Sequence, residues 1–105
     1  MTKKEIEKNI EVLEENGITL SSQDENSYEF EAFTPAGGDM VIILDEPSKE
    51  KLEEYVENFD INEEVLMWWR NGSGNGLPFA NIRDHYNDLE KYIDSIHDVC
   101  YLLEY

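Results

Sequence analysis

The sequence predicts an α+β domain: a small antiparallel sheet, either a hairpin or three strands, packed against three or four helices with a long C-terminal one. Three observations lead there. Apolar side chains recur in alternating steps of four and three at Ile82, Tyr86, Leu89, Ile93, Ile96, Cys100 and Leu103, the spacing that lines one side of a helix. Between Tyr28 and Leu44 the period shortens to two around a cluster of turn residues, which marks paired strands. Capping signatures at Thr2, Ser48 and Asp60 then divide the remaining segments into helices.

Thr2-Lys3-Lys4-Glu5 is a capping box, in which threonine and the glutamate three residues on satisfy each other's backbone donors. Helix one follows from about residue 3 to 16, with Ile6, Ile10 and Leu13 on one face. Gly17 stands where a left-handed C-terminal cap is wanted. Ile18-Thr19-Leu20 is short and extended and offers a third strand. Tyr28, Phe30 and Ala32 then alternate with Glu29, Glu31 and Phe33, and residues 34 to 39 hold turn chemistry before the β-branched run Met40 to Leu44. A lone hairpin is only marginally stable, so helices must cover its apolar face. Ser48 caps helix two, which aligns Leu52, Tyr55, Val56 and Phe59 and sets Glu50, Glu53, Glu54 and Glu57 opposite. Asp60 caps a short third helix carrying Trp68 and Trp69. Helical neighbours differ by about 100°, so one tryptophan is expected to pack and the other to lie at a rim. A glycine-rich loop, residues 71 to 76, and Leu77-Pro78-Phe79 lead into the last helix, expected from Ile82 to Leu103.

At 105 residues the chain, residues 1 to 105, is expected to form one domain. An apolar share of 40% and an aromatic share of 11% separate it from disordered acidic tails. No apolar run approaches membrane-spanning length and no signal core is seen, so a soluble cytoplasmic protein without membrane association is expected. Cys100 has no second cysteine to bridge to, which suits a reducing compartment. Twenty-five carboxylates against eight basic residues give a net charge of −17. A potential of one sign repels nucleic acid and anionic lipid and attracts basic protein surfaces, so direct nucleic-acid binding is disfavoured.

No residue pattern points to catalysis. The glycine loop lacks the Lys-Ser or Lys-Thr of a phosphate-binding loop, and does not leave a strand. His85 and His97 would sit about 18 Å apart along one helix, too far for a shared metal. Residues 60 to 64 lack the spacing of a calcium loop. His97 and Cys100 are three apart, but Cys100 belongs to the apolar stripe, and no oxyanion device accompanies them. No catalytic residue, metal or cofactor is therefore assigned.

The carboxylate ladders carry more information. Glu7, Glu11 and Glu15; Glu50 and Glu54; Glu53 and Glu57; Asp84 and Asp88; and Glu90, Asp94 and Asp98 are each spaced by four. Like charges at that spacing destabilise a helix, so packing or a function must outweigh the cost. A step of four advances about 6 Å, comparable to spacings along a nucleic-acid backbone. The candidate partner-binding residues are thus Asp84, Asp88, Asp94, Asp98, Glu50, Glu53, Glu54 and Glu57, with Trp69 as an apolar anchor.

Tyr28 to Leu44 (YEFEAFTPAGGDMVIIL), Glu54 to Val65 (EYVENFDINEEV) and Ile82 to Leu89 (IRDHYNDL), in that order, resemble a group of small acidic proteins encoded by phages and conjugative elements of Gram-positive bacteria. The resemblance spans most of the chain and rests on caps and strands, so it transfers no site residue. Met67-Trp68-Trp69 and the glycine loop replace a charged stretch usual in that group. The resemblance implies a mobile-element setting, in which small acidic proteins block host defences such as CRISPR nucleases and restriction enzymes. The expected function is a non-catalytic inhibitor of a bacterial defence nuclease, an acidic nucleic-acid mimic occupying a basic DNA- or RNA-binding surface. The alternative is an adaptor or assembly module that binds protein through Trp68, Trp69 and the glycine loop.

Overall fold

The computed structural model describes residues 1 to 72 and 82 to 105. Its elements run α1 (Lys3–Glu15), β1 (Thr19–Gln23), β2 (Tyr28–Phe33), β3 (Asp39–Leu44), α2 (Lys49–Asn58), α3 (Ile61–Arg70) and α4 (Ile82–Cys100). The α+β expectation holds: a three-stranded antiparallel sheet in the order β1-β2-β3 lies against helices, the longest of them α4. Leu77-Pro78-Phe79 and the glycine loop beyond Gly72 lie outside the described residues.

Local chemistry sets the helix ends. Thr2 and Glu5 make both halves of the capping box, at 3.2 and 2.8 Å. At the other end of α1, Gly17 adopts φ +83°. Its N–H donates to the Glu14 carbonyl, and the Ile18 N–H donates to the Leu13 carbonyl. That is a Schellman motif, and the apolar contact that goes with it is made by Leu13 and Ile18, both in the core. Ser48 Oγ accepts from Lys51 N–H at 3.2 Å, and Asp60 Oδ1 accepts from Asn62 and Glu63 at 3.0 and 3.2 Å.

The sheet is covered on one face only. Phe30, Ala32, Ile42 and Leu44 point inward and meet Leu13, Leu52, Tyr92, Ile96, Val99, Cys100 and Leu103. Burying side chains of this size stabilises by about 1.5–3 kcal/mol each for the larger ones. Phe33, Val41 and Ile43 alternate to the open face and stay exposed. Leu52 is the one residue of α2 that is fully buried, and the Tyr55, Phe59 and Tyr92 rings pack beside it at centroid distances near 6 Å.

The buried stripe of α4 differs from the expected one. It consists of His85, Asp88, Leu89, Tyr92, Ile96, Val99 and Cys100. Ile82 and Tyr86 are exposed and Ile93 is half-buried. The stripe is turned by about 60°, because the β2–β3 turn and α3 pack against the side that carries His85 and Asp88. The helix ends at Cys100, and Leu103 reaches the core from the turn beyond it.

A second long-range tie is polar. Asn9, on α1, is fully buried, and its Nδ2 donates to the Pro47 carbonyl at 2.8 Å and to the Tyr105 carbonyl at 3.2 Å. Lys49 N–H donates to the same Tyr105 carbonyl. These bonds join α1, the loop before α2 and the chain end.

Candidate functional site

The acidic sides of α2 and α4 follow from the burial of their opposite sides. Turning α2 so that Leu52 is inward leaves Glu50, Glu54 and Glu57 exposed in a contiguous strip. Glu53 lies on the flank, half-buried, near the Cys100 thiol. On α4 the outer side carries Asp84, Glu90, Asp94 and Asp98, all exposed, over about 21 Å from first to last. Arg83 and Lys91 share that side and are also exposed, so this row is less uniformly anionic than the strip on α2. The two helices pack against each other.

Asp88 departs from the expectation. It is buried, and its Oδ1 accepts from Ala36 N–H at 2.9 Å in the β2–β3 turn, while Oδ2 has no hydrogen-bond partner among the described residues. Its place in the i, i+4 ladder with Asp84 falls on the edge of the buried stripe, where the turn claims it. Asp88 is therefore removed from the partner-binding surface and reassigned as the side chain that fastens the hairpin turn to α4.

Few carboxylates are neutralised internally. Among the described residues, which include all 25 acids, only Asp45, Glu46, Glu54 and Glu104 stand in ion pairs. Lys51 holds both Asp45 and Glu54 at 3.5 Å, and Lys8 holds Glu104 at 2.8 Å. Such exposed pairs contribute little stability. Acidity is not confined to α2 and α4: α1 exposes Glu7, Glu11, Glu14 and Glu15.

The tryptophans divide as the helical geometry requires. Trp68 is half-buried and stacks on His85, with centroids 4.4 Å apart and planes 23° from parallel. Trp69 is 55% exposed, and Met67 and Leu66 beside it are exposed as well. A cleft of about 460 Å³ opens between the β2–β3 turn, α3 and α4, with Met40, Met67, Trp68, His85 and Leu89 among its lining residues and Asp39 and Glu64 contributing carboxylates. Burial lowers the His85 pKa and the Asp88 carboxylate partly offsets that shift.

Burial disfavours ionisation of the Cys100 thiol and of two tyrosines. Cys100 is fully buried, and its thiol donates to the Lys49 carbonyl at 3.3 Å. Burial first, and the Glu53 carboxylate second, push its pKa up to about 11, the opposite of what a nucleophilic cysteine needs. His97, three residues away, is exposed and packs edge-on against Tyr101 at 5.0 Å. Burial likewise raises the pKa values of Tyr55 and Tyr92, whose hydroxyls meet at 3.1 Å. No group of three or more His, Cys, Asp or Glu side chains among the described residues is arranged to hold a metal ion. No helix of the described residues is long and apolar enough to cross a membrane.

Asn9, Asp88 and His85 are buried polar residues that no sequence motif marks. The only signal available was their position on the inward side of a helix, and that side is known only once the helix's neighbours are placed. Comparison of the chain with protein-family models, with curated proteins and with solved structures finds no match in any of the three.

Proposed function

We propose that this protein is a non-catalytic inhibitor of a bacterial defence nuclease, of anti-CRISPR or anti-restriction type, acting in the cytoplasm of the host cell. It covers a basic DNA- or RNA-binding surface with Glu50, Glu54 and Glu57 of α2 and Asp84, Asp94 and Asp98 of α4, Glu53 standing at the flank. The observation that supports this reading is the set of carboxylates left without cations: of the residues just named only Glu54 stands in an ion pair, with the Lys51 that it shares with Asp45, and the exposed charge of the others is available to a partner. A basic cleft supplies what the chain itself does not, and pairing across the interface offsets the repulsion built into the i, i+4 ladders. Displacement of a labelled DNA duplex from purified CRISPR effectors and restriction enzymes tests it. Inhibition is expected to weaken steeply with salt, and a chain that displaces DNA from none of them is not such an inhibitor.

A second reading is an adaptor that binds protein through α3, and the exposure of Trp69, Met67 and Leu66 on one short helix favours it. In that case Trp69→Ala abolishes partner capture while charge reversal on α4 leaves it unchanged.

A further inference from the structure

We infer that the free edge of β3 is a docking site for an extended segment of a partner protein in which basic and apolar side chains alternate. This edge shares only Glu54 with the acidic sides of α2 and α4 and is independent of the nuclease reading. Among the described residues β3 pairs with β2 alone, and its other side carries no strand. The turn bond from Thr34 N–H to the Gly38 carbonyl sets the phase of the ladder, and the register pairs Ala32 with Met40, Phe30 with Ile42 and Tyr28 with Leu44. The main-chain groups of Met40, Ile42 and Leu44 therefore face β2, and those of Asp39, Val41 and Ile43 face outward. Among the described residues no hydrogen bond occupies those outward groups.

The two edges of the sheet are treated differently. β1 is polar, Thr-Leu-Ser-Ser-Gln, and its register shifts between Leu20 and Ser22, where the Ser21 hydroxyl donates to the Glu29 carbonyl at 3.0 Å. A bulge and short polar side chains blunt an edge against pairing. β3 has none of these devices. It is regular over six residues, and its Val41 and Ile43 side chains are 50% and 62% exposed.

A groove runs beside this edge. One cleft of about 310 Å³ includes Met40, Val41, Tyr55 and Phe59 in its lining, and another of about 160 Å³ lies between Ile43, Tyr55 and Lys51. An added strand would thus lie between β3 and α2, with one set of side chains over Tyr55 and the alternate set beside Val41 and Ile43 on the open face. Its basic character follows from the groove's acids. Asp39 and Glu64 stand at one end, Asp45 and Glu54 at the other, and the cation there, Lys51, is already shared between the last two. A second copy of this chain is the poorer occupant, because it brings its own Asp39 and Asp45 and a charge of −17 to a partner of the same charge.

The test uses the full chain and a synthetic octapeptide of alternating lysine and valine, followed by two-dimensional NMR and amide hydrogen exchange. On binding, the Asp39, Val41 and Ile43 amides are expected to slow in exchange by about tenfold or more, the Met40 and Ile42 amides changing little. Methylating every second peptide nitrogen on the pairing side should weaken binding about tenfold at the same salt, since main-chain donors are lost with charge unchanged. Val41→Pro should do the same while sparing the β2-facing bonds; the methylated peptide gives an independent answer if that variant does not fold. Three results would overturn the inference: no binding, equal binding of the methylated peptide, or shifts confined to the outer sides of α2 and α4. Concentration-dependent dimerisation of the chain alone, abolished by Val41→Pro, would assign the edge to self-pairing and overturn the proposed occupant.

Discussion

Cys100 alkylation separates a structural thiol from a catalytic one. Its pKa is pushed from 9.0 to about 11, so below pH 9 the folded chain holds about a hundredfold less thiolate than the unfolded chain. A more basic thiolate is more nucleophilic, which recovers about tenfold and leaves a deficit of about tenfold from ionisation alone. Complete burial and the bond to the Lys49 carbonyl add to that deficit, because reagent reaches sulfur only after local opening. Iodoacetamide at pH 7.5, followed by intact-mass spectrometry, should therefore modify the native protein at least about tenfold more slowly than the urea-unfolded protein. A native rate equal to the unfolded rate, or faster, would refute the burial argument and reopen a thiol chemistry for His97 and Cys100. The same shift carries a stability consequence with a defined sign. The unfolded chain releases this proton first, so the contribution is intact below pH 9 and is lost as pH rises toward about 11, by roughly 2–3 kcal/mol at most. Cys100→Ala should flatten that part of the profile.

Leu52→Ala removes the one fully buried side chain of α2 and is expected to cost about 2–5 kcal/mol, read as a lower midpoint in urea melts with an unchanged slope. For His85, NMR titration should give a midpoint below 6.5, because burial disfavours its charged form. Since the unfolded chain then takes up the proton more readily, stability should fall as pH drops below 6.5, and His85→Gln should remove that dependence; a midpoint above 6.5 would contradict it. Trp69→Ala should change stability by less than about 0.5 kcal/mol, whereas Trp68→Ala, which strips a ring stacked on His85, should cost several-fold more. Equal effects in calorimetry would contradict the division of the two tryptophans.

The elements were legible because their signals are local. Thr2 with Glu5, the left-handed cap at Gly17, and the alternation from Tyr28 to Phe33 each involve residues within a few positions, so sequence spacing alone describes them. What escaped depends on groups distant in the chain. Asp88 is buried because Ala36, 52 residues away, presents an N–H to it, and Asn9 because Pro47 presents a carbonyl. The same holds for α4: the alternating steps correctly announced a helix, yet the stripe's exact azimuth was set by the β2–β3 turn and α3, which no periodicity within α4 contains. β3 illustrates a related gap. Its apolar run fits a central or an edge strand equally, and only the sheet order exposes Val41 and Ile43. Of the candidate site, Glu50, Glu54, Glu57 and three of the four α4 aspartates were readable as solvent-facing; the buried Asp88 and the half-buried Glu53 were not.

The central claim, that unpaired helix carboxylates engage a basic nucleic-acid-binding surface, is tested most directly by reversing charge at Asp94→Lys and Asp98→Lys together. The assay is displacement of labelled DNA from a defence nuclease that the wild-type protein inhibits, measured from low to physiological salt. The double variant is expected to inhibit at least about tenfold less well at low salt and with a shallower salt dependence, its melting temperature unchanged. Inhibition at wild-type strength and with the wild-type salt slope would contradict it.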